Sequence, residues 1–142
     1  MPAKIITGQG VKILATTKMK KTISLHRVSF RGETAKGSPM ERFATNVLNA
    51  KNILEEPGLK LCQLEDGTLL EFYGTGSFPP ENMFKNGNTV ISFRVPDLQQ
   101  SVARLLEEGA RLVADIKFPC SGFAFCHVQL KDDHIIGLFE EL

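Results

Sequence analysis

Hydrophobic and polar positions along this chain follow a pattern that occurs twice. Val28-Ser29-Phe30-Arg31 returns as Ile91-Ser92-Phe93-Arg94, 63 residues later. Asp66-Gly67-Thr68-Leu69-Leu70-Glu71-Phe72 returns as Asp132-Asp133-His134-Ile135-Ile136-Gly137-Leu138, 66 residues later. Between the two phrases of each copy lies an apolar stripe at helical spacing. In the first copy Ser38 can cap a helix, Pro39 suits its first position, and Glu41 stands where a capping box requires it. Met40, Phe43, Ala44, Val47 and Leu48 follow as one apolar face. In the second copy Asp97 opens a helix whose stripe is Leu98, Val102, Leu105 and Leu106, and Gly109 ends it.

Strand patterns flank each helix. They cover 22–31, 51–55, 59–64 and 68–73 in the first copy, and 89–95, 111–118, 123–130 and 134–140 in the second. Pro57-Gly58 and Asp66-Gly67 mark turns in the first copy, and 119–122 and 131–133 break the second. Each copy therefore reads strand–helix–strand–strand–strand. The predicted organisation is an N-terminal extension at 1–21, a first module at 22–74, a linker at 75–88 rich in Gly, Pro and Asn, and a second module at 89–142, all in one compact domain. The segment 11–17 could add an edge strand. A competing pattern would make 19–30 a helix, since Met19, Ile23, His26 and Phe30 lie near one helical face. The strand reading is preferred because it leaves the better capped helix at Ser38 in place.

Composition narrows the function classes. The 142 residues are 42% hydrophobic and 23% charged, with a formal net charge of +1, an ordinary globular balance that offers no argument for nucleic acid or membrane. A basic excess does gather at Lys4, Lys12, Lys18, Lys20 and Lys21, without the aromatic interleaving of a nucleic-acid arm. Three cysteines, Cys62, Cys120 and Cys126, make no disulfide framework. The first residues lack the apolar core of a signal peptide, so a reducing cytoplasm is expected.

A βαβββ unit repeated within roughly 140 residues resembles the vicinal-oxygen-chelate superfamily, which includes glyoxalase I, extradiol dioxygenases, and fosfomycin- and bleomycin-resistance proteins. The phrases that carry the resemblance are Phe43-Ala44-Thr45-Asn46-Val47-Leu48-Asn49-Ala50 at a helix end, Asp66-Gly67-Thr68-Leu69-Leu70-Glu71 at a final strand, and the strand, turn and helix of 89–109. The resemblance implies an α+β fold in which two βαβββ modules form a curved, partly open mixed sheet around a cavity, with helices on the convex face. It also implies a homodimer. Metal-dependent members place a His on the first strand and a Glu on the last strand of each unit. Those four positions here hold Arg27, Glu71, Val90 and Gly137, with His26 one residue out of register. No cofactor is therefore expected, and His26 and Glu71 are the only weak metal candidates.

Strand alternation would send Arg27, Ser29 and Arg31, then Val90, Ser92 and Arg94, to the concave face. The last strands would add Leu69, Glu71, Tyr73, Ile135, Gly137 and Phe139. The predicted ligand-binding residues are Arg27, Ser29, Arg31, Tyr73, Ser92, Arg94 and Phe139, with Glu71 as the catalytic candidate, a general base. Three arginines favour an anionic ligand. Blander readings stand beside these. Arg27 and Glu71 could be a structural ion pair, Arg31 and Arg94 could lie at sheet ends in solvent, and Gly137 could open space for a ligand or for the Tyr73 or Phe139 ring. Cys120, Cys126, His127 and His134 cluster in sequence but lack a known zinc spacing, and Cys126 and His127 should face opposite ways. Most phenylalanines are expected in the core, with Phe78 and Phe84 exposed in the linker.

The resulting expectation is a metal-independent small-molecule-binding protein of glyoxalase/bleomycin-resistance type. The alternatives are a lyase, isomerase or thiol transferase of the same superfamily using Glu71, or an interaction module acting through its basic N-terminal segment.

Overall fold

The structure is a computed structural model that describes residues 26–141, together with the backbone of a short hairpin, β1 (Ile5–Thr7) paired with β2 (Gly10–Val11). Most of the predicted N-terminal extension, the segment 11–17 beyond Val11 and the first-strand residues 22–25 lie outside the described residues. The first repeat folds as β3 (His26–Arg31), α1 (Pro39–Asn46), β4 (Lys51–Glu56), β5 (Leu59–Gln63) and β6 (Leu69–Tyr73). The second folds as β7 (Thr89–Arg94), α2 (Leu98–Glu107), β8 (Arg111–Leu112), β9 (Lys117–Cys120), β10 (Phe123–Gln129) and β11 (Ile135–Glu141). The extended backbone of His26–Arg31 rules out a helix across that stretch.

Nine strands form one mixed sheet in the order β4-β5-β6-β3-β7-β11-β10-β8, with β9 also paired to β10, and the sheet curls into a half-barrel. Within each repeat the first and last strands are parallel, β3 with β6 and β7 with β11. The repeats join through an antiparallel seam between β3 and β7, in which Val28 lies opposite Ile91. These are equivalent residues of the two copies, so the pseudo-two-fold axis passes between them.

Helices cover the convex face, and each lies over its own core. Ala44 of α1 packs with Cys62, Leu70 and Phe72, joined by Val28 and Phe30. Leu98 and Val102 of α2 pack with Ala124, Cys126, Val128 and Leu138. Asp97 caps α2 by accepting from the Gln100 amide at 3.0 Å. The Glu140 carboxylate accepts from the Leu98 amide at 2.7 Å, so the last strand also holds the helix start.

The first helix sits in an unexpected rotation. Its apolar stripe does not face the sheet, because Met40, Phe43, Val47 and Leu48 are all exposed, Val47 by 63%. Glu41 and Ala44 face inward instead. The capping box explains this setting. The Ser38 hydroxyl accepts from the Glu41 amide at 3.2 Å, and the Glu41 carboxylate turns back to accept from the Gly37 amide at 2.8 Å. Its second oxygen meets the ammonium of Lys60 on β5 at 2.5 Å. Glu41 and Lys60 are only 4% and 6% exposed. Burial pushes the Glu41 carboxyl up, but the hydrogen bonds from Lys60 and Gly37 outweigh it and hold the group below its ordinary value. Lys60 is likewise held above its ordinary value, burial opposing and Glu41 prevailing.

Two other expectations are corrected. The predicted strand at 111–118 is split, because the chain leaves the edge of β10 after Leu112 and rejoins it at Lys117, and Ile116 from the detour packs into the α2 core. Phe84 of the linker is not exposed. It is buried with Met83 against Val90 and Tyr73, while Phe78 is almost wholly exposed at 96%. The linker thus closes one end of the concave face. Among the described residues no helix is long and apolar enough to cross a membrane.

Breaking the Glu41–Lys60 pair from one side leaves a buried charge without a partner, so Lys60→Met should destabilise the protein by about 3–5 kcal/mol. Urea denaturation reads this directly. Glu41→Leu in the same chain should recover a large part of the loss, and additive losses would show that the two groups do not act as a pair.

Candidate functional site

The curled sheet brings one row of side chains together on its concave face. Arg27 of β3 lies opposite Ser92 of β7, Ser92 lies opposite Gly137 of β11, and Gly137 lies opposite His127 of β10. Glu71 and Tyr73 reach the same space from β6, Phe123, Phe125 and Phe139 line it from the second repeat, and Pro80 and Met83 of the linker close over it. The cavity they enclose has a volume of about 110 Å³. A larger groove of about 530 Å³ runs beside the start of α2, past Phe118 and Cys120. It holds none of the sequence-predicted ligand residues, and its Glu140 carboxylate is already engaged by the Leu98 amide. The cavity, not the groove, holds Arg27 together with Glu71, whereas the charged groups of the groove, Asp97 and Glu140, both cap the start of α2.

Arg27 is the cation of the cavity. Its guanidinium carbon stands 5.0 Å from the centre of the Phe123 ring and 5.4 Å from that of Phe139, both within cation–π range. Its Nε is 3.8 Å from Glu71 Oε2, close enough for attraction but too far for a hydrogen bond. No described residue accepts a hydrogen bond from this guanidinium, and Nε is buried without a partner. Glu71 is more fully engaged. The fully buried Ser29 hydroxyl donates to its Oε1 at 2.5 Å, which fixes the carboxylate beside the guanidinium. Tyr73 is pushed well above its ordinary pKa, first by burial and then by the Glu71 charge, and stays a neutral phenol.

Other predicted site residues lie apart from the cavity. Arg31 is exposed at the sheet end, where it donates to Asn88 Oδ1 at 3.3 Å and stacks over Phe84 at 5.3 Å. Arg94 stands 3.5 Å from Glu141 Oε1. His26 points to the convex face, its ring edge-on to Phe93 at 5.6 Å, so it and Glu71 lie on opposite sides of the sheet. Ser29 is near the cavity but reaches it only through Glu71.

Gly137 proves to be a close-approach position rather than a gap. A Cβ built there would come within 2.9 Å of Ser92 Cβ and 3.1 Å of His127 Cδ2, and closer still to the Ser92 hydroxyl. Ser92 and His127, not Tyr73 or Phe139, occupy the space of the missing side chain. The four positions at which metal-dependent relatives hold ligands thus present a guanidinium, a carboxylate bound by Ser29, the buried Val90 side chain, and a glycine under two other side chains. These residues do not fit a divalent ion. Among the described residues no three His, Cys, Asp or Glu side chains gather as a metal site.

His127 lines the cavity but was not among the sequence-predicted ligand residues. Alternation along β10 sends Cys126 into the α2 core and His127 into the cavity, as the opposite-face expectation required. Burial lowers its pKa from 6.5 to about 4, so the imidazole is neutral near neutral pH. The only sequence signal was its place opposite Gly137, which required the strand register.

This burial has a consequence for stability. The unfolded chain takes a proton on this residue below about pH 6.5, whereas the folded chain resists it until about pH 4. The folded state is therefore not penalised above pH 6.5, and it loses stability progressively as pH falls towards 4, by on the order of 3 kcal/mol. Urea denaturation of wild type and His127→Phe at about pH 7 and about pH 4 should show a smaller acid loss in the variant. Equal losses would mean that the imidazole is solvated in the folded state.

No family model matches the chain, and no curated protein matches it significantly. Solved structures do. A glyoxalase/bleomycin resistance protein/dioxygenase superfamily member from Vibrio splendidus 12B01 is similar at 15% identity and a TM-score of 0.60, over 83% of this chain and 100% of that one. A methylmalonyl-CoA epimerase variant from Streptomyces coelicolor, solved with 2-nitronate-propionyl-CoA, is similar at 14% identity and a TM-score of 0.57, over 85% of this chain and 96% of that one. A glyoxalase I mutant from Zea mays gives 16% identity and a TM-score of 0.51, over 81% of this chain but only 42% of that one. Together with the paired repeats and the curled mixed sheet, these likenesses identify the architecture: the chain has the vicinal-oxygen-chelate fold.

Proposed function

We propose that the concave cavity binds a small anionic molecule without the help of a metal ion. The observation that carries this reading is Arg27, a guanidinium held between two phenyl rings in a small cavity, with no hydrogen-bond acceptor for it among the described residues and its Nε buried without a partner. A partly buried cation in apolar surroundings is favourable only if an anion or ordered water meets those donors. A carboxylate suits them, since the guanidinium fork can bind both of its oxygens. Metal independence is supported by the same residues. The Arg27 cation stands beside the one carboxylate at the metal positions, and Ser92 and His127 fill the place of the other. Because Ser29 and Arg27 already engage Glu71, ligand binding fits this site better than a lyase or isomerase reaction that would need Glu71 as a free base.

A homodimer, residence in the cytoplasm, and the absence of nucleic acid or membrane partners complete the proposal. Met40, Phe43 and Val47 of α1 and Ile91 and Phe93 of β7 expose apolar surface on the convex side, which a second copy of the chain would cover. The free thiols of Cys62, Cys120 and Cys126 suit a reducing compartment. Sedimentation should show a dimer in wild type that Phe43→Glu weakens, and a wild-type monomer would refute that part.

Propionate titrated calorimetrically into the protein should bind, and Arg27→Lys, which keeps the charge but loses the planar fork, should weaken it by roughly tenfold. Affinity should be the same before and after exhaustive EDTA treatment. Loss of binding with EDTA, restored by a divalent ion, would overturn metal independence.

A further inference from the structure

We propose that the cavity has a second polar subsite, formed by His127, and that its ligand is a small carboxylate carrying a hydroxyl or carbonyl oxygen at its other end. This rests on the anion reading of Arg27 and goes beyond it in naming the second recognition group and the class of ligand.

His127 is 6% exposed, lines the cavity, and makes no side-chain hydrogen bond with any described residue. An imidazole carries one N–H donor and one acceptor when neutral. The ring is nevertheless firmly placed. It lies over Gly137, close enough that a side chain there would meet it, and it stands edge-on to Phe125 at 5.8 Å. A polar ring that is fixed in the cavity wall, with no hydrogen-bond partner among the described residues, is prepared for a group that enters the cavity. Its neutrality near pH 7 suits a hydroxyl, which can donate to one nitrogen, or a carbonyl, which can accept from an N–H.

The cavity therefore presents two polar groups that have no hydrogen-bond partner among the described residues, set in a largely aromatic wall. Arg27 lies against Phe123 and Phe139, and His127 lies against Phe125, with Ser92 and Gly137 between them in the row. A volume of about 110 Å³ equals that of about four waters, room for a molecule of a few heavy atoms. A simple fatty acid of that size would satisfy Arg27 and leave the imidazole bare. A hydroxy or oxo acid would satisfy both.

Three probes of matched skeleton separate these possibilities: propionate, lactate and 3-hydroxypropionate, titrated calorimetrically into the whole protein. At least one hydroxy acid should bind roughly tenfold more tightly than propionate, the gain expected of one well-placed buried hydrogen bond. That advantage should vanish in His127→Phe, so that hydroxy acid and propionate bind the variant with equal affinity. Ring-nitrogen NMR shifts of His127 in wild type give a second readout that needs no variant, and they should move with the tighter hydroxy acid but not with propionate. If all three probes bind equally, or if the hydroxy acid binds more tightly with the His127 nitrogens unmoved, the His127 subsite is overturned while the anion reading stands, and ordered water then satisfies the ring. If none of the three binds, the anion reading itself fails and takes this inference with it.

Discussion

The antiparallel seam between β3 and β7 is the constraint on which the rest of the structure depends. It joins a repeat of four strands and a repeat of five, each of which would otherwise be an open sheet with an unsatisfied edge. Its register sets Val28 against Ile91 and Arg27 against Ser92. Because strand side chains alternate, that one choice sends Val28 and Phe30 to the α1 core and turns Arg27 and Ser29 to the concave side. A slip of one residue would exchange the two sets, burying arginine under the helix and emptying the cavity of its cation. The apolar faces of both strands oppose such a slip.

The cavity draws its character from unequal contributions across that seam. The first repeat supplies charge, through Arg27 and Glu71 with Ser29 behind them, and the second supplies aromatic walls and the neutral imidazole of His127. Two equivalent halves would have placed a second guanidinium and carboxylate where the aromatic rings and the imidazole stand. Here the asymmetry lets a guanidinium settle against Phe123 and Phe139. Gly137 is the hinge of this arrangement in a steric sense, since any side chain there would displace Ser92 and His127 together.

Much of the fold was legible along the chain because its signals are local. The capping residues Ser38 and Asp97, the turn at Asp66-Gly67 and the alternation along β3 and β6 each act within a few residues. The orientation of α1 was not legible. Periodicity groups Met40, Phe43 and Val47 as an inward face, but in a helix of eight residues the Glu41–Lys60 pair outweighs them, and Lys60 lies 19 residues away on another element. The concave placement of Glu71, Tyr73 and Ser92 followed from alternation alone. The importance of His127 did not, because its partners in space are a glycine ten residues on and a serine in another strand. Phe84 misled for the same reason: a linker composition says that the chain turns, not which side chains it tucks beneath itself.

What the sequence alone determined is the repeated unit and its helix starts, together with residues other than His or Glu at Arg27, Val90 and Gly137, three of the positions where the family resemblance would place metal ligands. Those depend on residue identity and on neighbours within a few positions. Only the tertiary structure decided that Arg27 reaches the aromatic rings of the opposite repeat without an acceptor among the described residues, that Ser29 claims the Glu71 carboxylate, and that Ser92 and His127 fill the space above Gly137. Each of these is a contact between strands far apart in the chain, set by the curl of the sheet and by close packing, and no local pattern encodes that curl.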